Sequence, residues 1–267
     1  MADRQAADRL TDAERLHTAL CRTWERLCDA LDDARFERRE GYVWTICPQV
    51  PLAAFNGVWP ETDEAAPALA DALGEIAELE LPSSIQVRRG LTPACELEAE
   101  RLGLMLQEET PAMLVRPDEL RGVDVRSLQI VKATTPDALA QALATAADAF
   151  GAPPEAFAAL YGLDVTGLDR LIVYIGRVGD VDVSTAVGYT VGGATGIFNV
   201  ATPPSHRGHG FGAAITTCAV REGFSAGAEF AWLQSSDVGY SVYERLGFRK
   251  VDTYRVYAAP ETPFVEL

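Results

Sequence analysis

The loop Thr202-Pro-Pro-Ser-His-Arg-Gly-His-Gly-Phe-Gly212 separates a predicted strand from a predicted helix. Its glycines stand at alternate positions where the helix begins, so backbone N–H groups can approach a ligand without obstruction by Cβ atoms. The positive end of the helix points at the same place. We therefore predict a phosphate-binding site, in which the loop amides and Arg207 hold a pyrophosphate.

The distribution of charge along the chain supports this prediction. The 267 residues include 39 Asp and Glu but 23 Lys and Arg, which gives a net charge of −16. Such a chain is a poor candidate for non-specific nucleic-acid binding, which depends on basic side chains. Residues 183–220 nevertheless contain no Asp, Glu or Lys, where an even spread would place about five or six acids. Two buried strands can explain the gap over residues 183–200, but they do not explain it over the loop.

Two common phosphate-binding patterns do not fit the loop. A nucleoside-triphosphate P-loop ends in Gly-Lys-Ser or Gly-Lys-Thr, whereas Ala213 and Ala214 follow Gly212 here. A dinucleotide-binding turn reads Gly-x-Gly-x-x-Gly early in a parallel βαβ unit. The pattern here is Gly-x-Gly-x-Gly, and it follows three β-rich runs that predict an antiparallel meander. Neither kinase or ATPase chemistry nor dinucleotide binding is favoured.

The apolar pattern and the helix caps predict the order β-α-α-β-β-β-α-β-α-β for the second half of the chain. Thr135 before Pro136 marks a helix start, and Gly151 lies just past the end of that helix. Another short helix opens at Pro153. The other predicted elements are strands at 128–131, in three runs between 171 and 202, at 230–234 and at 248–257, and helices at 211–224 and 237–246.

The first half alternates helices and strands without a glycine-rich turn or a cluster of catalytic residue types. The first forty residues are predicted to be helical, with Thr11 and Glu14 at capping-box spacing, and Gly41 ends the pattern. Two antiparallel strands, at 42–47 and 52–59, follow. Further helices are predicted at 64–78 and 92–102, and further strands at 84–87 and 112–115.

Two motifs in the second half resemble those of the GCN5-related N-acetyltransferase (GNAT) superfamily. The acetyl-CoA signature, [Gln/Arg]-x-x-Gly-x-[Gly/Ala] after a strand and a proline, matches Arg207, Gly210 and Gly212, with Pro204 ahead of them. A later motif, Asn/Ser-x-x-Ala/Gly-x-x-x-Tyr-x-x-x-Gly-Phe, is similar to residues 236–248. The resemblance implies an α/β (α+β) fold, with a mixed, mostly antiparallel sheet flanked by helices.

The resemblance also implies a site for acetyl-CoA as acyl donor, with no metal. Backbone groups of the strand before the loop would hold the pantetheine arm, and the later helix would add contacts. The residues implied in binding are Val200, Thr202, Arg207, Gly208, His209, Gly210, Phe211, Gly212, Ala213, Ser236 and Tyr240. The amide of Val200 is also implied to polarise the thioester carbonyl.

One catalytic residue, Tyr243, follows from the resemblance, which gives it the role of protonating the departing CoA thiolate. A phenol with a pKa of about 10 remains protonated at pH 7 and can give up its proton as the sulfur becomes basic. The alternative is that Tyr243 is a core aromatic packed beside Phe248.

The general base is not evident from the sequence. Many GNAT enzymes use a glutamate on the strand before the loop, and this chain has none there. Deprotonation of the acceptor amine would then use another carboxylate, such as Asp237 or an acid of the N-terminal region, or ordered water. Asp237 can equally be a first-turn residue stabilised by the helix dipole. His206 and His209 lie where the pyrophosphate is expected, so we interpret them as solvated loop residues or phosphate contacts.

We expect two domains, an N-terminal α/β region at 1–124 and an acetyltransferase domain at 125–267. The N-terminal region resembles the degenerate GNAT-like half of two-part (tandem) acetyltransferases. In that case the acceptor site lies in the cleft between the halves, under aromatic residues such as Trp44, Phe55 and Trp59. The alternative is that these three residues are ordinary core aromatics.

The predicted function is acetyl-CoA-dependent N-acetylation of an amine on a small molecule or peptide, by direct attack on the thioester. The alternative is a catalytically idle acyl-CoA-binding or regulatory module. The acidic composition favours a cationic acceptor such as a polyamine, an aminoglycoside or a basic peptide terminus. No nucleic-acid or membrane partner is expected, and the oligomeric state is left open.

The remaining features predict a reduced, cytoplasmic protein. No run of about 18 apolar residues exists and the N-terminus is charged from its third residue, so neither a membrane span nor a secretory signal is expected. The five cysteines form no Cys-x-x-Cys pair and are predicted to be reduced and buried. Metal ligation is not expected, because no cysteine stands at a useful spacing from His17, His206 or His209.

Overall fold

The computed structural model describes residues 10–151, 153–260 and 262. Its strands are β1 (Arg35–Arg39), β2 (Tyr42–Ile46), β3 (Gly57–Pro60), β4 (Ser84–Arg88), β5 (Met105–Val115), β6 (Gln129–Lys132), β7 (Leu171–Val178), β8 (Val181–Val191), β9 (Ala194–Ala201), β10 (Phe230–Gln234) and β11 (Arg249–Ala258). Its α-helices are α1 (Asp12–Ala30), α2 (Leu69–Ala77), α3 (Pro93–Arg101), α4 (Pro136–Phe150), α5 (Leu163–Thr166), α6 (Phe211–Ser225) and α7 (Asp237–Arg245).

All eleven strands belong to one sheet, in the order β1-β2-β3-β4-β11-β5-β10-β9-β8-β7-β6. Only β3–β4 and β9–β10 are parallel pairs among these described strands; the other neighbours are antiparallel. The predicted fold class, an α+β structure with a mostly antiparallel sheet flanked by helices, is confirmed.

The two faces of the sheet are covered by different helices because successive strand residues point to opposite sides. On β7, Val173 and Ile175 pack in one core cluster with the apolar face of α4. Tyr174, between them, packs in another cluster with Ile215 and Ala219 of α6. The glycine loop therefore leads into a helix on the face opposite α4.

The predicted boundaries of α4 are confirmed, and local capping explains them. Thr135 Oγ1 accepts a hydrogen bond from the amide of Ala138 at 3.3 Å, Pro136 occupies the first turn, and Gly151 ends the helix in the left-handed conformation. The antiparallel meander of β7, β8 and β9 is also confirmed. The segment after Pro153, predicted as a short helix, forms two 3₁₀ turns instead.

The predicted length of the first helix was wrong. α1 begins with the predicted capping box, in which Glu14 Oε2 accepts from the Thr11 amide at 2.6 Å and Thr11 Oγ1 accepts from the Glu14 amide at 3.3 Å. It ends at Ala30, and the chain then forms β1, where the Phe36 ring packs edge-on against Trp59 at 6.4 Å. Strand pairing with β2 and this packing outweigh local helical preference. Residues 1–9 of the predicted helix lie outside the described residues.

Three other N-terminal elements differ in part from the predictions. The predicted strand at 52–59 is a 3₁₀ turn at Ala53–Phe55 followed by β3. The helix predicted from residue 64 begins as a 3₁₀ turn and becomes α2 only after Pro67, whose ring disfavours continuous α-helix around it. β5 is longer than predicted, because its pairing with β11 extends from Met105 to Leu114.

The sheet joins the two halves of the chain by exchanging strands. β5, from the first half, lies between β10 and β11 of the second half, and β11 lies between β4 and β5. Asp12, at the start of α1, forms ion pairs with Arg116 just after β5 and with Arg249 of β11. The position of a boundary at 124/125 stays a prediction.

Other predictions concern single residue types. Among the described helices, none has the length and apolar character needed to cross a membrane. All five cysteines are free; Cys21, Cys28, Cys47 and Cys95 are buried as predicted, whereas Cys218 is half-buried.

Candidate active site

The parallel strands β9 and β10 separate beside the glycine loop. Their pairing covers Ala194–Gly196 with Phe230–Trp232 and ends there. The other edge of β10 remains paired with β5 as far as Gln234. Beyond Gly196, the edge of β9 on the β10 side therefore faces an opening, while its other edge stays paired with β8. Backbone groups on such a free edge can bind an extended ligand.

A β-bulge in β9 accompanies this opening. Phe198 pairs with Val187 and Ala201 pairs with Thr185, so Asn199 and Val200 together oppose one residue of β8. Asn199 has a φ of +48°, a left-handed conformation that asparagine adopts more readily than most residues. Bulges bend a strand and re-aim its side chains, and this one turns β9 at Val200, next to the cavity described below.

The glycine loop leads directly into the N-terminus of α6. Gly208 and Gly210 have φ values of +83° and +79°, which L side chains rarely adopt. The N-cap residue, Gly210, has no side chain that could cap the helix, and the first amides of any helix have no partner within it. The N–H groups at this end of α6 are therefore suited to an anionic ligand.

Arg207 is engaged with the protein's own backbone. Its Nε donates to the Thr202 carbonyl at 3.0 Å, and its terminal nitrogen donates to the Ala149 carbonyl at 2.9 Å, near the end of α4. The guanidinium thus ties the loop to β9 and α4. Beyond the predicted pyrophosphate contact, this is a structural role that the sequence motif does not reveal.

The two loop histidines lie near the surface. The exposed ring of His209 stacks on Phe211 with centroids 5.4 Å apart, and its Nδ1 lies 3.0 Å from the carbonyl of Arg207. His206 is half-buried at the end of a 3₁₀ turn.

Thr202 lies beside Gly212, and Ala213 is half-buried in the first turn of α6.

A cavity of about 180 Å³ extends from the β9–β10 opening to the N-terminal half of the chain. Residues of the second half that line it include Phe198, Val200, Ser236 and Tyr243. Residues of the first half that line it include Trp24, Phe55, Trp59 and Glu108. The cavity is therefore built jointly by the two halves.

Tyr243, on α7, is 9% exposed and lines this cavity. Its ring also packs edge-on against Phe248 at 5.9 Å, so it is a core aromatic and a cavity residue at once. Burial raises the pKa of the Tyr243 phenol above its usual value. The phenol therefore stays protonated at neutral pH.

The other residues implied by the second motif surround the start of α7. Ser236 precedes the helix, lines the cavity and makes no side-chain cap hydrogen bond. Tyr240 is half-buried against the core cluster that contains Tyr243. Val200, Ser236 and Tyr243 are thus brought to one cavity, while the loop glycines lie at the start of α6. Their roles in binding and catalysis stay predictions.

A carboxylate reaches the cavity from β5. Glu108 is the only charged residue among the described residues that line it. Asp237, the carboxylate named from sequence, is exposed in the first turn of α7 and does not line the cavity. The sequence predicted an acid of the N-terminal region as one candidate base but did not single out Glu108, because only the insertion of β5 beside β10 brings it to the cavity.

The three N-terminal aromatics predicted to cover the acceptor site have different positions. Phe55 and Trp59 line the cavity, and each packs edge-on against Trp24. Trp44 lies elsewhere, in the core under α2, where its indole N–H donates to the Ala72 carbonyl at 3.0 Å. For Trp44, therefore, the alternative of a core aromatic is correct.

Contrary to the sequence analysis, one histidine and one cysteine do lie close enough together to share a metal ion. His17 and Cys21 lie one turn apart on α1, and their Nε2 and Sγ atoms are 3.6 Å apart. With Glu61 they form a group whose potential ligand atoms lie within 4.8 Å of one another. His17 Nδ1 is 2.8 Å from the Tyr254 hydroxyl, and Glu61 pairs with Arg38 at 3.5 Å. Within the described residues this cluster is already linked by hydrogen bonds and an ion pair.

Solved structures with a similar fold include several GNAT proteins. A GCN5-related N-acetyltransferase from Kribbella flavida matches with a TM-score of 0.70 and 20% identity, over 90% of this chain and 95% of that one. One from Sphaerobacter thermophilus matches with a TM-score of 0.62 and 15% identity, over 85% and 79%. A tandem GNAT protein from the clavulanic acid biosynthesis pathway matches with a TM-score of 0.57 and 11% identity, over 88% and 85%. No family model and no curated protein sequence matches the chain.

The chain therefore has the fold of the GCN5-related N-acetyltransferases. The matches extend over most of both chains, so the likeness includes the N-terminal half as well as the half that carries the motifs.

Proposed function

We propose that the protein is an acetyl-CoA-dependent N-acetyltransferase built from two GNAT-like halves, with the active half at 125–267. The observation that carries this proposal is the opening between β9 and β10, which has the uncapped N-terminus of α6 near one end and Tyr243 in the adjoining cavity. This arrangement offers amides for a pyrophosphate, strand edges for an amide-containing arm and a proton donor for a thiolate.

In the proposed reaction, the N–H groups of residues 208–213 bind the pyrophosphate of acetyl-CoA. The free edge of β9 near Val200 binds the pantetheine arm, and the Val200 amide donates to the thioester carbonyl as negative charge develops there. The neutral acceptor amine attacks the carbonyl carbon, the C–S bond breaks, and Tyr243 gives its proton to the sulfur. The second proton leaves the nitrogen as the amide forms and, directly or through water, restores the Tyr243 phenol. Holding donor and amine in line supplies most of the rate gain.

Glu108 is the proposed proton acceptor for the incoming amine. An alkyl ammonium group must lose one proton before nitrogen can attack, and Glu108 is the charged group that lines the same cavity as Tyr243. Glu108 takes this proton directly or through one water molecule and releases it to solvent. The sum is one amide, one free CoA thiol and one proton.

A variant of Tyr243 separates the enzyme from an idle acyl-CoA-binding module. Tyr243→Phe is expected to lower kcat at least about 100-fold in a free-thiol release assay while leaving CoA affinity by calorimetry unchanged. Tyr257→Phe is the matched control. The Tyr257 hydroxyl donates to Glu96 at 3.2 Å, and Tyr257 is not among the residues that line the cavity. Binding of CoA without thiol release from any amine, and identical behaviour of Tyr243→Phe, would refute the enzyme and favour the idle module.

A loop variant tests the phosphate site itself. Gly210→Val places a β-branched side chain at a φ of +79°, so we expect CoA binding to be lost. Gly179→Val carries the same kind of backbone strain at a φ of +61° in the β7–β8 turn, with open space around it. Equal CoA affinity in the two variants would rule out the glycine loop as the binding site.

A further inference from the structure

Around Glu108, the cavity wall is formed by one row of residues that are paired across three neighbouring strands. Val256 of β11 pairs with Glu108 on one side and with Gln86 on the other, and all three line the cavity. Residues directly opposite in a sheet point to the same face. Glu108 thus lies in a row of three paired strands, and its neighbour Glu109, on the other face, pairs with Arg255 at 2.7 Å.

The rest of the cavity is mainly apolar. Aromatic side chains from α1, the 3₁₀ turn and β3 form one part of it, and aliphatic side chains from α5, β7 and β8 form another; examples are Trp24, Phe55, Trp59, Val165, Leu171 and Val187. The volume of about 180 Å³ is close to that of an engineered apolar cavity of about 150 Å³ that binds benzene. The space therefore suits one phenyl or branched alkyl group.

The charge of the lining sets a limit on the ligand. Glu108 supplies one negative charge, and the described lining residues include no Lys or Arg. An ammonium beside Glu108 is paired, whereas a second ammonium deeper in the cavity would be desolvated without a charged partner among the described lining residues. The described lining therefore favours a monocation over the polyamines and aminoglycosides that the acidic composition of the whole chain favours.

We propose that the acceptor is a hydrophobic primary monoamine, whose single ammonium binds Glu108 and whose aryl or branched alkyl group fills the cavity. This inference rests on the proposed acetyltransferase function. The apolar wall from the N-terminal half selects the aryl or alkyl group of the amine, and Glu108 binds its ammonium group. The acyl group stays small, because it lies at the end of the cavity next to Val200 and Tyr243 and the amine fills the remaining space.

An acceptor panel with the full chain tests the inference. Free-thiol release from acetyl-CoA is measured with 2-phenylethylamine, isopentylamine, spermidine and kanamycin. We expect kcat/KM for the first two amines to exceed that for the last two at least about 100-fold. Preferred turnover of spermidine or kanamycin would overturn the hydrophobic-monoamine proposal while supporting the acetyltransferase. Absence of turnover with all four, and with a wider amine panel, would count against both.

Acyl-chain length gives a second readout. If the cavity instead held the acyl group, octanoyl-CoA would be used faster than acetyl-CoA with a small amine such as ethylamine. That result would overturn the proposal, and a preference for acetyl-CoA supports it.

A charge variant tests the role of Glu108 without changing side-chain volume. Glu108→Gln is expected to raise KM for 2-phenylethylamine at least about 10-fold and to remove the stabilising effect of this amine on Tm. CoA affinity and far-UV circular dichroism should be unchanged. Glu109→Gln, on the opposite face, is the matched control and should keep the wild-type KM. Equal amine KM values in Glu108→Gln and Glu109→Gln would overturn the assignment.

Discussion

Gly239 lies directly against the ring of Tyr243. A Cβ atom at position 239 would stand 2.8 Å from Tyr243 Cε2, closer than van der Waals contact allows. The same atom would approach Ser235 Oγ and Ser236 Oγ to 3.3 and 3.5 Å. Gly239 therefore sets how closely the first turn of α7 approaches the Tyr243 ring.

Gly239→Ala is expected to move the Tyr243 ring and to lower kcat about 10-fold or more, because proton transfer to the thiolate depends on its position. CoA affinity should change little, since the glycine loop is untouched. The measurement is steady-state thiol release together with calorimetric CoA binding. Gly74→Ala in α2, where an added Cβ meets nothing within 4 Å, is the control and should keep full activity. If the two variants have equal kcat, the packing of Gly239 does not position Tyr243.

Arg207→Ala is expected to weaken CoA binding about 10-fold by releasing the loop from the carbonyls of Thr202 and Ala149. Because these bonds brace the backbone, the dependence of CoA affinity on salt should stay close to that of the wild type. A variant with much weaker salt dependence would show instead that the guanidinium contacts phosphate directly. Arg26→Ala, at an exposed surface ion pair with Asp29, is the control.

Because Asn199 adopts a left-handed conformation in the β9 bulge, we expect opposite effects of two substitutions at this position. Asn199→Gly retains access to the φ of +48° and should keep both Tm and activity near wild-type values. Asn199→Val, a β-branched residue at the same φ, should destabilise the protein by about 1–2 kcal/mol and reduce CoA affinity. Thermal unfolding and CoA titration of the two variants check this. Similar Tm values for both would mean that the bulge tolerates any residue.

The ion pairs of Asp12 are expected to make the free energy of unfolding fall in acid. Its hydrogen bonds to Arg116, with the added charge of Arg249, lower the pKa of Asp12 from 3.8 to about 2. A carboxyl whose pKa is lower in the folded state stabilises the fold above its unfolded pKa and loses this contribution as pH falls from about 4 to about 2. With the side chain 24% exposed, we expect about 1–2 kcal/mol.

Urea unfolding between pH 7 and pH 2 measures this contribution. Asp12→Asn should be less stable than the wild type at pH 7, and the difference should shrink towards pH 2. Asp29→Asn, at an exposed pair with Arg26, should follow the wild-type curve. A constant difference between Asp12→Asn and wild type across this range would contradict the electrostatic explanation.

Local sequence signals were sufficient for most of the second half. The capping residues Thr135 and Gly151, the meander and the glycine loop each act within a few residues, so their patterns predicted the helix and strand order correctly. The same signals misjudged residues 31–40, where β1 is stabilised by pairing with β2 and by contact with Trp59. Such contacts join positions that are distant in sequence and leave no local periodicity.

The sequence by itself determined the GNAT-like order of elements and the glycine loop, because caps, turns and the charge gap depend on neighbouring residues. Only the tertiary structure decided that β5 enters the sheet between β10 and β11, which brings Glu108 to the cavity of Tyr243. It also decided that Phe55 and Trp59 line this cavity while Trp44 does not. These outcomes depend on strand pairing and side-chain packing between distant segments, which the residue pattern of a single segment does not encode.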